Sequence, residues 1–174
     1  MGNVFLISDT HFGHQGVCEF LTNEGTKLRP WATAAEMDEV MVERWNSVVK
    51  DGDKVYHLGD VAMSKRGMEI MVRLNGRKCL IKGNHDREKL KEYMKWFYDI
   101  RASHLLDKLV LSHIPLHPNQ FERFGGNVHG HLHSNLVLDS EGKPDKRYMS
   151  LCVEQIDYTP VEFSVVQKYF HNSK

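Results

Sequence analysis

The sequence predicts an α/β protein, with parallel right-handed crossovers in its first half and more antiparallel pairing in its second. Three observations carry that expectation. Short apolar, partly β-branched runs recur through the first part of the chain, helix-period segments separate them, and beyond about residue 100 the predicted elements are mainly strands. The apolar runs are continuous rather than alternating, as in strands covered on both faces.

Val4-Phe5-Leu6-Ile7 is the first such run, and from Ser8 the chain turns polar and opens a long loop to about Pro30. A helix follows. Thr33 and Glu36 have capping-box spacing, Met37, Val40, Met41, Trp45 and Val48 recur on one helical face, and Asp51-Gly52-Asp53 ends the element. Val55 to Leu58 is a second strand stopped by Gly59. Met68 to Leu74 reads as helix, broken by Asn75-Gly76, and Lys78 to Ile81 as a third strand stopped by Gly83. Asp86 is placed to cap a short helix through about Met94. Strands near Ile100–Leu105 and Lys108–Leu111 would pair through a turn at Leu106-Asp107. Val128-His129 and Met149 to Glu154 read as later strands, and Thr159-Pro160 as the start of a last helix to about Tyr169. No repeat, low-complexity tract or linker is present.

A length of 174 residues suits a single domain, 1–174, and 41% apolar with 26% charged residues is ordinary for a soluble globular chain. A formal net charge of zero leaves no global field to gather nucleic acid or an anionic membrane. Met1 to Ile7 lacks the basic leader and length of a signal peptide, and no run approaches the roughly 18 apolar residues of a membrane span. Cys18, Cys79 and Cys152 are odd in number and form no Cys-x-x-Cys, so they read as reduced thiols in a cytoplasmic protein. Histidine is the outlier: there are 11, six of them between His104 and His133.

Five stretches hold the metal-ligand chemistry: Asp9-Thr10-His11, Gly59-Asp60, Gly83-Asn84-His85-Asp86, Ser112-His113 and Gly130-His131-Leu132-His133. Each follows a predicted strand, and ligand sites of open α/β sheets form outside the carboxyl ends of strands. Asp9 and His11 are two apart, as are His131 and His133, and on an extended chain such pairs face one way. Asp60 follows a glycine, and a carboxylate can hold one metal with each oxygen. Asn84 adds a neutral oxygen. Imidazole with oxygen and no thiolate favours manganese, iron, cobalt, nickel or zinc. Two such ions lower the pKa of a bridging water, whose hydroxide would attack phosphorus. His85 would protonate the leaving oxygen or stabilise charge, with Asp86 orienting it. Taken singly, an Asp-x-His or a Gly-Asp marks an ordinary turn, Gly-Asn-His-Asp a turn with a helix cap, and Gly-His-Leu-His a strand end. The ordered set of all five points to two metals.

That ordered set, from Asp9 to His133, resembles the calcineurin-like metallophosphoesterase superfamily, and the run Ile7-Ser8-Asp9-Thr10-His11-Phe12-Gly13-His14 is similar to its small bacterial and phage-type members. The resemblance implies a four-layer α/β/β/α sandwich, two mixed sheets face to face with helices outside. It implies Asp9, His11, Asp60 and His133 on one metal, and Asp60, Asn84, His113 and His131 on the other, with Asp60 bridging. It also implies His85 as the catalytic histidine and Asp86 as its partner.

The expected protein is thus a phosphoesterase using two divalent ions, manganese first, on small phosphodiesters of nucleotide type. A phosphomonoesterase and a non-catalytic metal-bearing module are the alternatives. A nucleic-acid end as substrate is not indicated by the net charge. Little length remains for a capping domain, so an open site is expected. His14, His117 and Arg123 are candidates to touch the phosphate, the loops 13–30 and 117–126 would wall the site, and His57 and His129 read as structural. Lys82, Arg87, Lys89, Lys91 and Lys95 are interrupted by Asp86, Glu88 and Glu92, which suits a solvated face better than a nucleic-acid track.

Overall fold

The computed structural model describes residues 2–172; Met1, Ser173 and Lys174, at the ends of the expected 1–174 domain, lie outside them. Two sheets form. In the first, β1 (Val4–Ile7), β2 (Lys54–His57), β3 (Arg77–Ile81) and β4 (Asp99–Arg101) are parallel, and β9 (Val161–Glu162) lies antiparallel beside β1, giving the order β4-β3-β2-β1-β9. The second has the order β5-β6-β7-β8, from β5 (Ser103–Leu106), β6 (Leu109–Ser112), β7 (Gly126–His129) and β8 (Tyr148–Ser150).

The sheets pack face to face, because alternate residues of each strand point into a shared core. Leu6, Tyr56, Cys79 and Ile81 of the first sheet meet Leu109, Leu111 and Val128 of the second. The opposite face of the first sheet, with Phe5, Ile7, Val55 and Leu80, is covered by α1 (Ala34–Val48) through Met37, Met41 and Trp45, and by Met68 of α2 (Lys65–Glu69). Both faces of β1 and β2 are therefore buried, which explains their unbroken apolar runs. The outer face of the second sheet is covered by Phe121 and Leu116, packed on Val110 and Tyr148 next to a 3-10 turn at Pro118–Gln120. α4 (Phe163–Asn172) inserts Val166 and Phe170 into the inter-sheet core. The fold class is the expected one, two mixed sheets face to face, with α-helices outside the first sheet and a loop with a 3-10 turn in place of an α-helical layer outside the second.

α1 starts as its sequence dictates. The Thr33 hydroxyl accepts the Glu36 N–H at 3.2 Å, and the Glu36 carboxylate accepts the Thr33 N–H at 3.3 Å. Elsewhere the structure departs from the expectations. The Met68–Leu74 helix begins earlier, capped by Ser64, and continues past Glu69 as a 3-10 turn at Ile70–Arg73. No helix is capped by Asp86, whose carboxylate is engaged by other loops; α3 (Leu90–Tyr93) is a single turn. The run Ile100–Leu105 is two strands in different sheets, split at Ala102. The late strand stops at Ser150, and Val153–Gln155 folds into a 3-10 turn. Thr159-Pro160 leads into β9, which pairs with Phe5 and Leu6 before α4 begins.

The second half does hold the antiparallel pairs, as expected: β5 runs against β6 and β9 against β1, while β6, β7 and β8 are parallel, joined by the long connections 113–125 and 130–147. This places the carboxyl ends of β1, β2, β3, β6, β7 and β8 at one end of the sandwich. There the sheets are stitched together: the Ser8 N–H donates to Leu151 O at 2.8 Å and the Val153 N–H to Ser8 O at 3.1 Å. Among the described residues no helix is long and apolar enough to cross a membrane. The three cysteines are buried and unpaired.

Candidate metal centre

At that stitched end the side chains gather into two groups, Asp9 with His11 and His133, and Asp60 with His113 and His131. The local backbone that presents them is unusual. Among the described residues nine non-glycine residues have positive φ, and five of them are Asp9 (58°), His11 (50°), Asp60 (55°), His131 (73°) and His133 (52°). The pairs Asp9/His11 and His131/His133 therefore do not converge by extended-strand alternation, as the sequence suggests. Each member sits in the left-handed region, a conformation that costs about 1 kcal/mol or more for an L-residue and concentrates at functional sites. Two glycines allow the loops to close. A Cβ on Gly130 would collide with Ser8 and the Asp9 carboxylate, and one on Gly83 with Asp60.

In the first group Asp9 Oδ2 is fully committed. It accepts from the Ser8 hydroxyl at 2.5 Å, the His131 N–H at 2.8 Å and the Cys152 thiol at 3.3 Å. Asp9 Oδ1 is buried with no partner, as are both ring nitrogens of His11. Asp9 Oδ1 lies 3.8 Å from His11 Nε2 and 3.9 Å from His133 Nε2. Burial pushes the Asp9 pKa up, but neighbouring His11, His113 and His133 and the Ser8 hydroxyl reverse this and hold it well below the usual carboxylate range.

His133 is braced from behind. Its Nδ1 lies 3.0 Å from Glu154 Oε1, so Nδ1–H donates there and Nε2 presents its lone pair to the cluster. Glu154 Oε1 also takes the buried Arg29, at 2.8 Å from Nε and from Nη2. Arg29 in turn donates to Thr10 O at 2.8 Å and Asp9 O at 2.6 Å. Burial disfavours a charged His133, yet Glu154 and Asp9 outweigh it and raise its pKa.

The second group is held by neutral partners. His113 Nδ1 donates to Leu58 O at 2.8 Å, so its Nε2 faces Asp60 Oδ2 at 3.4 Å and Asn84 Oδ1 at 2.8 Å. His131 Nδ1 lies 3.0 Å from the same Asn84 oxygen. His113 Nε2, Asp60 Oδ2, Asn84 Oδ1 and His131 Nδ1 thus face one another, an arrangement that could hold a cation among them. The separations suit ligands each about 2.0–2.2 Å from a shared ion. With the orphaned Asp9 Oδ1 and His11 Nε2, the residues present fit two divalent metals.

Asp60 joins the groups with one oxygen. Its Oδ1 accepts the His85 N–H at 2.8 Å, leaving Oδ2 to face both His11 Nε2 (3.8 Å) and His113 Nε2. Oδ2 thus faces both groups. The expected role of Asp86 is corrected. Its carboxylate accepts the N–H groups of Asp60 (2.9 Å), Val61 (3.0 Å) and Gly83 (2.7 Å), tying the loop after β2 to the loop after β3. It does not orient the His85 ring, whose Nδ1 is buried without a partner.

The His85 and His14 rings both pack near His11, with centroids at 5.8 and 5.7 Å, so His14 lies beside the cluster. His117 is exposed, and its Nδ1 accepts the Asn119 N–H at 3.4 Å. Arg123 lines a separate cavity with Lys108, Leu109 and Gln167, near the amino end of β6 and far along the strand from His113. His57 and His129 are structural, as expected. His57 Nδ1 accepts the Gly59 N–H at 3.2 Å and Nε2–H meets the Thr10 hydroxyl at 2.9 Å. His129 bonds to Gly130 O at 2.8 Å. Sequence reasoning missed Arg29 and Glu154. The apolar company of Glu154, Cys152-Val153, was its one hint of burial, and Arg29 in a polar loop offered none.

The fold and these paired His/Asp groups define the kind of protein: a mixed two-sheet sandwich with a candidate dinuclear metal centre at its strand ends. The chain belongs to the family of the uncharacterized protein MJ1445 of Methanocaldococcus jannaschii, to which it is 32% identical over an alignment covering 100% of this chain and 94% of that protein. It is also 35% identical to the gene 66 protein of Mycobacterium phage D29, over 50% of this chain and 42% of that protein. The crystal structure of a protein of unknown function, AQ665 from Aquifex aeolicus, superposes with a TM-score of 0.74 at 25% identity, covering 97% of this chain and 99% of that one. No family model matches the chain.

Proposed function

We propose that this chain is a dinuclear metal-dependent phosphoesterase of the calcineurin-like kind, acting on small phosphodiesters. One observation carries the reading: two His/Asp groups meet at a single carboxylate oxygen, Asp60 Oδ2, with further acceptor atoms left orphaned around it. Asp9, His11 and His133 would hold one ion, Asn84, His113 and His131 the other, and Asp60 both. The imidazole and oxygen donors suit manganese, with iron, nickel, cobalt or zinc as alternatives. When bound, such a pair supplies Lewis acidity and an acidified water.

The chain's own groups do the rest. The His85 backbone N–H grips Asp60, which fixes the ring beside His11 at the edge of the cluster. From there the imidazole delivers a proton to the leaving oxygen. His14, whose ring also lies near His11, contacts the phosphate. Glu154 holds the His133 tautomer, and Asp86 holds the two loops that carry Asp60 and His85.

The test is restoration of cleavage in chelator-treated protein by added Mn²⁺, with bis(4-nitrophenyl) phosphate and 4-nitrophenyl phosphate compared side by side. Faster diester cleavage is expected. Faster monoester cleavage makes the protein a phosphatase. Two metals per chain with neither ester cleaved makes it a binding module, and no activity or binding with any divalent metal sinks the proposal.

A further inference from the structure

A groove of about 760 Å³ opens beside the second group, beginning at Asn84 and His113 and running across β5 and the outer face of β6. Large, half-exposed apolar side chains line it beside polar ones. Leu105 is 49% exposed, Ile114 50% and Phe124 39%, all along this one depression. Its polar groups are sorted too. His104 is spent, with Nδ1 on Arg101 and Nε2 on the Tyr56 hydroxyl at 3.1 Å. Lys82, Ser103 and Gln120 also line the groove, and no carboxylate does, although the chain carries as many acidic as basic residues.

We infer that this groove is the subsite for an aromatic or heterocyclic group esterified to the phosphate, the ring lying against Leu105, Ile114 and Phe124. The inference rests on the phosphoesterase reading and deepens it by naming the ester. Continuity with Asn84 and His113 puts the phosphorus end of such a substrate at the metal centre. Lys82 at the groove's metal end complements an anion, and the free Ser103 hydroxyl and Gln120 amide suit the polar edge of a ring. The volume is that of an ordinary small-molecule pocket.

Calorimetric titration of the manganese-loaded protein with phenylphosphonate and methylphosphonate separates the ring from the phosphorus group. Burying most of a phenyl face favours phenylphosphonate by roughly tenfold. In the double variant Leu105→Ala/Phe124→Ala, both exposed positions that leave the core intact, that preference collapses while methylphosphonate affinity is unchanged. Equal affinity for the two probes in the native protein, or a preference that survives in the variant, overturns the subsite. Metal analysis and ester cleavage on the same preparation keep the two readings apart. Cleavage without a phenyl preference sinks the groove alone. Two-metal loading and cleavage both absent, with neither phosphonate bound, sinks the groove and the phosphoesterase reading together.

Discussion

The two halves of the candidate metal centre are built from similar side chains but held in different ways. The group around Asp9 is backed by charge: His133 leans on Glu154, which leans on a fully buried Arg29. The group around His113 is backed by the Leu58 carbonyl and the Asn84 amide, and it borders an open groove. A histidine backed by a carboxylate is a more basic and better fixed ligand than one backed by a carbonyl. On the proposed reading, the first half would anchor its ion and the second would be the more adjustable partner.

The strongest way to break that comparison is to remove what the halves share. Asp60→Asn should lower turnover by about a hundredfold or more and weaken both metal sites, read by steady-state kinetics and metal analysis. His85→Ala, which takes no ligand away, should lower turnover by roughly 10²–10⁴-fold with two metals still bound. Glu154→Gln sharpens the contrast itself. Metal affinity of the first site should fall by about 10–100-fold while the second is unchanged. Loss of both sites together, with a collapsed melting temperature, would instead show that Glu154 only holds the fold.

Acid provides a fourth probe. Burial lowers the His57 pKa from 6.5 to about 3, and its Nδ1 must stay unprotonated to accept the Gly59 N–H. Between those values the unfolded chain binds a proton that the folded chain refuses. The stability contributed above pH 6.5 should thus be lost progressively as pH falls toward 3. Apoprotein His57→Gln should show a shallower acid limb in urea unfolding across that window. The smallest effect, remote from both halves, is Thr33→Ala. Losing the α1 cap should cost about 1 kcal/mol by chemical denaturation and leave metal binding untouched.

Much of this was legible in the sequence because the candidate ligands sit directly after apolar runs. A strand buried on both faces announces itself, and the polar residue that follows it must lie at a sheet end. The α1 cap was legible for the same reason, as Thr33 and Glu36 interact locally. What was not legible is whatever depends on distant chain. Arg29 reaches residues 9, 10 and 154 from an ordinary loop, and Glu154 sat inside a predicted strand that breaks to deliver it. Arg123 was placed near the phosphate by its position in a loop after His113, but that loop descends the sheet and carries it to the opposite strand ends. Alternation suggested how Asp9 and His11 would face, whereas the turn they occupy is left-handed.

Those left-handed residues have a consequence for how the protein would behave at low metal. Five candidate ligands are held in disfavoured conformations that the rest of the fold must offset, and an ion that binds only the folded form would add to its stability by mass action. The melting temperature should then climb with free Mn²⁺ concentration well past the point where the first ion is bound. The thermal midpoint becomes a gauge of how far the second, looser half has filled.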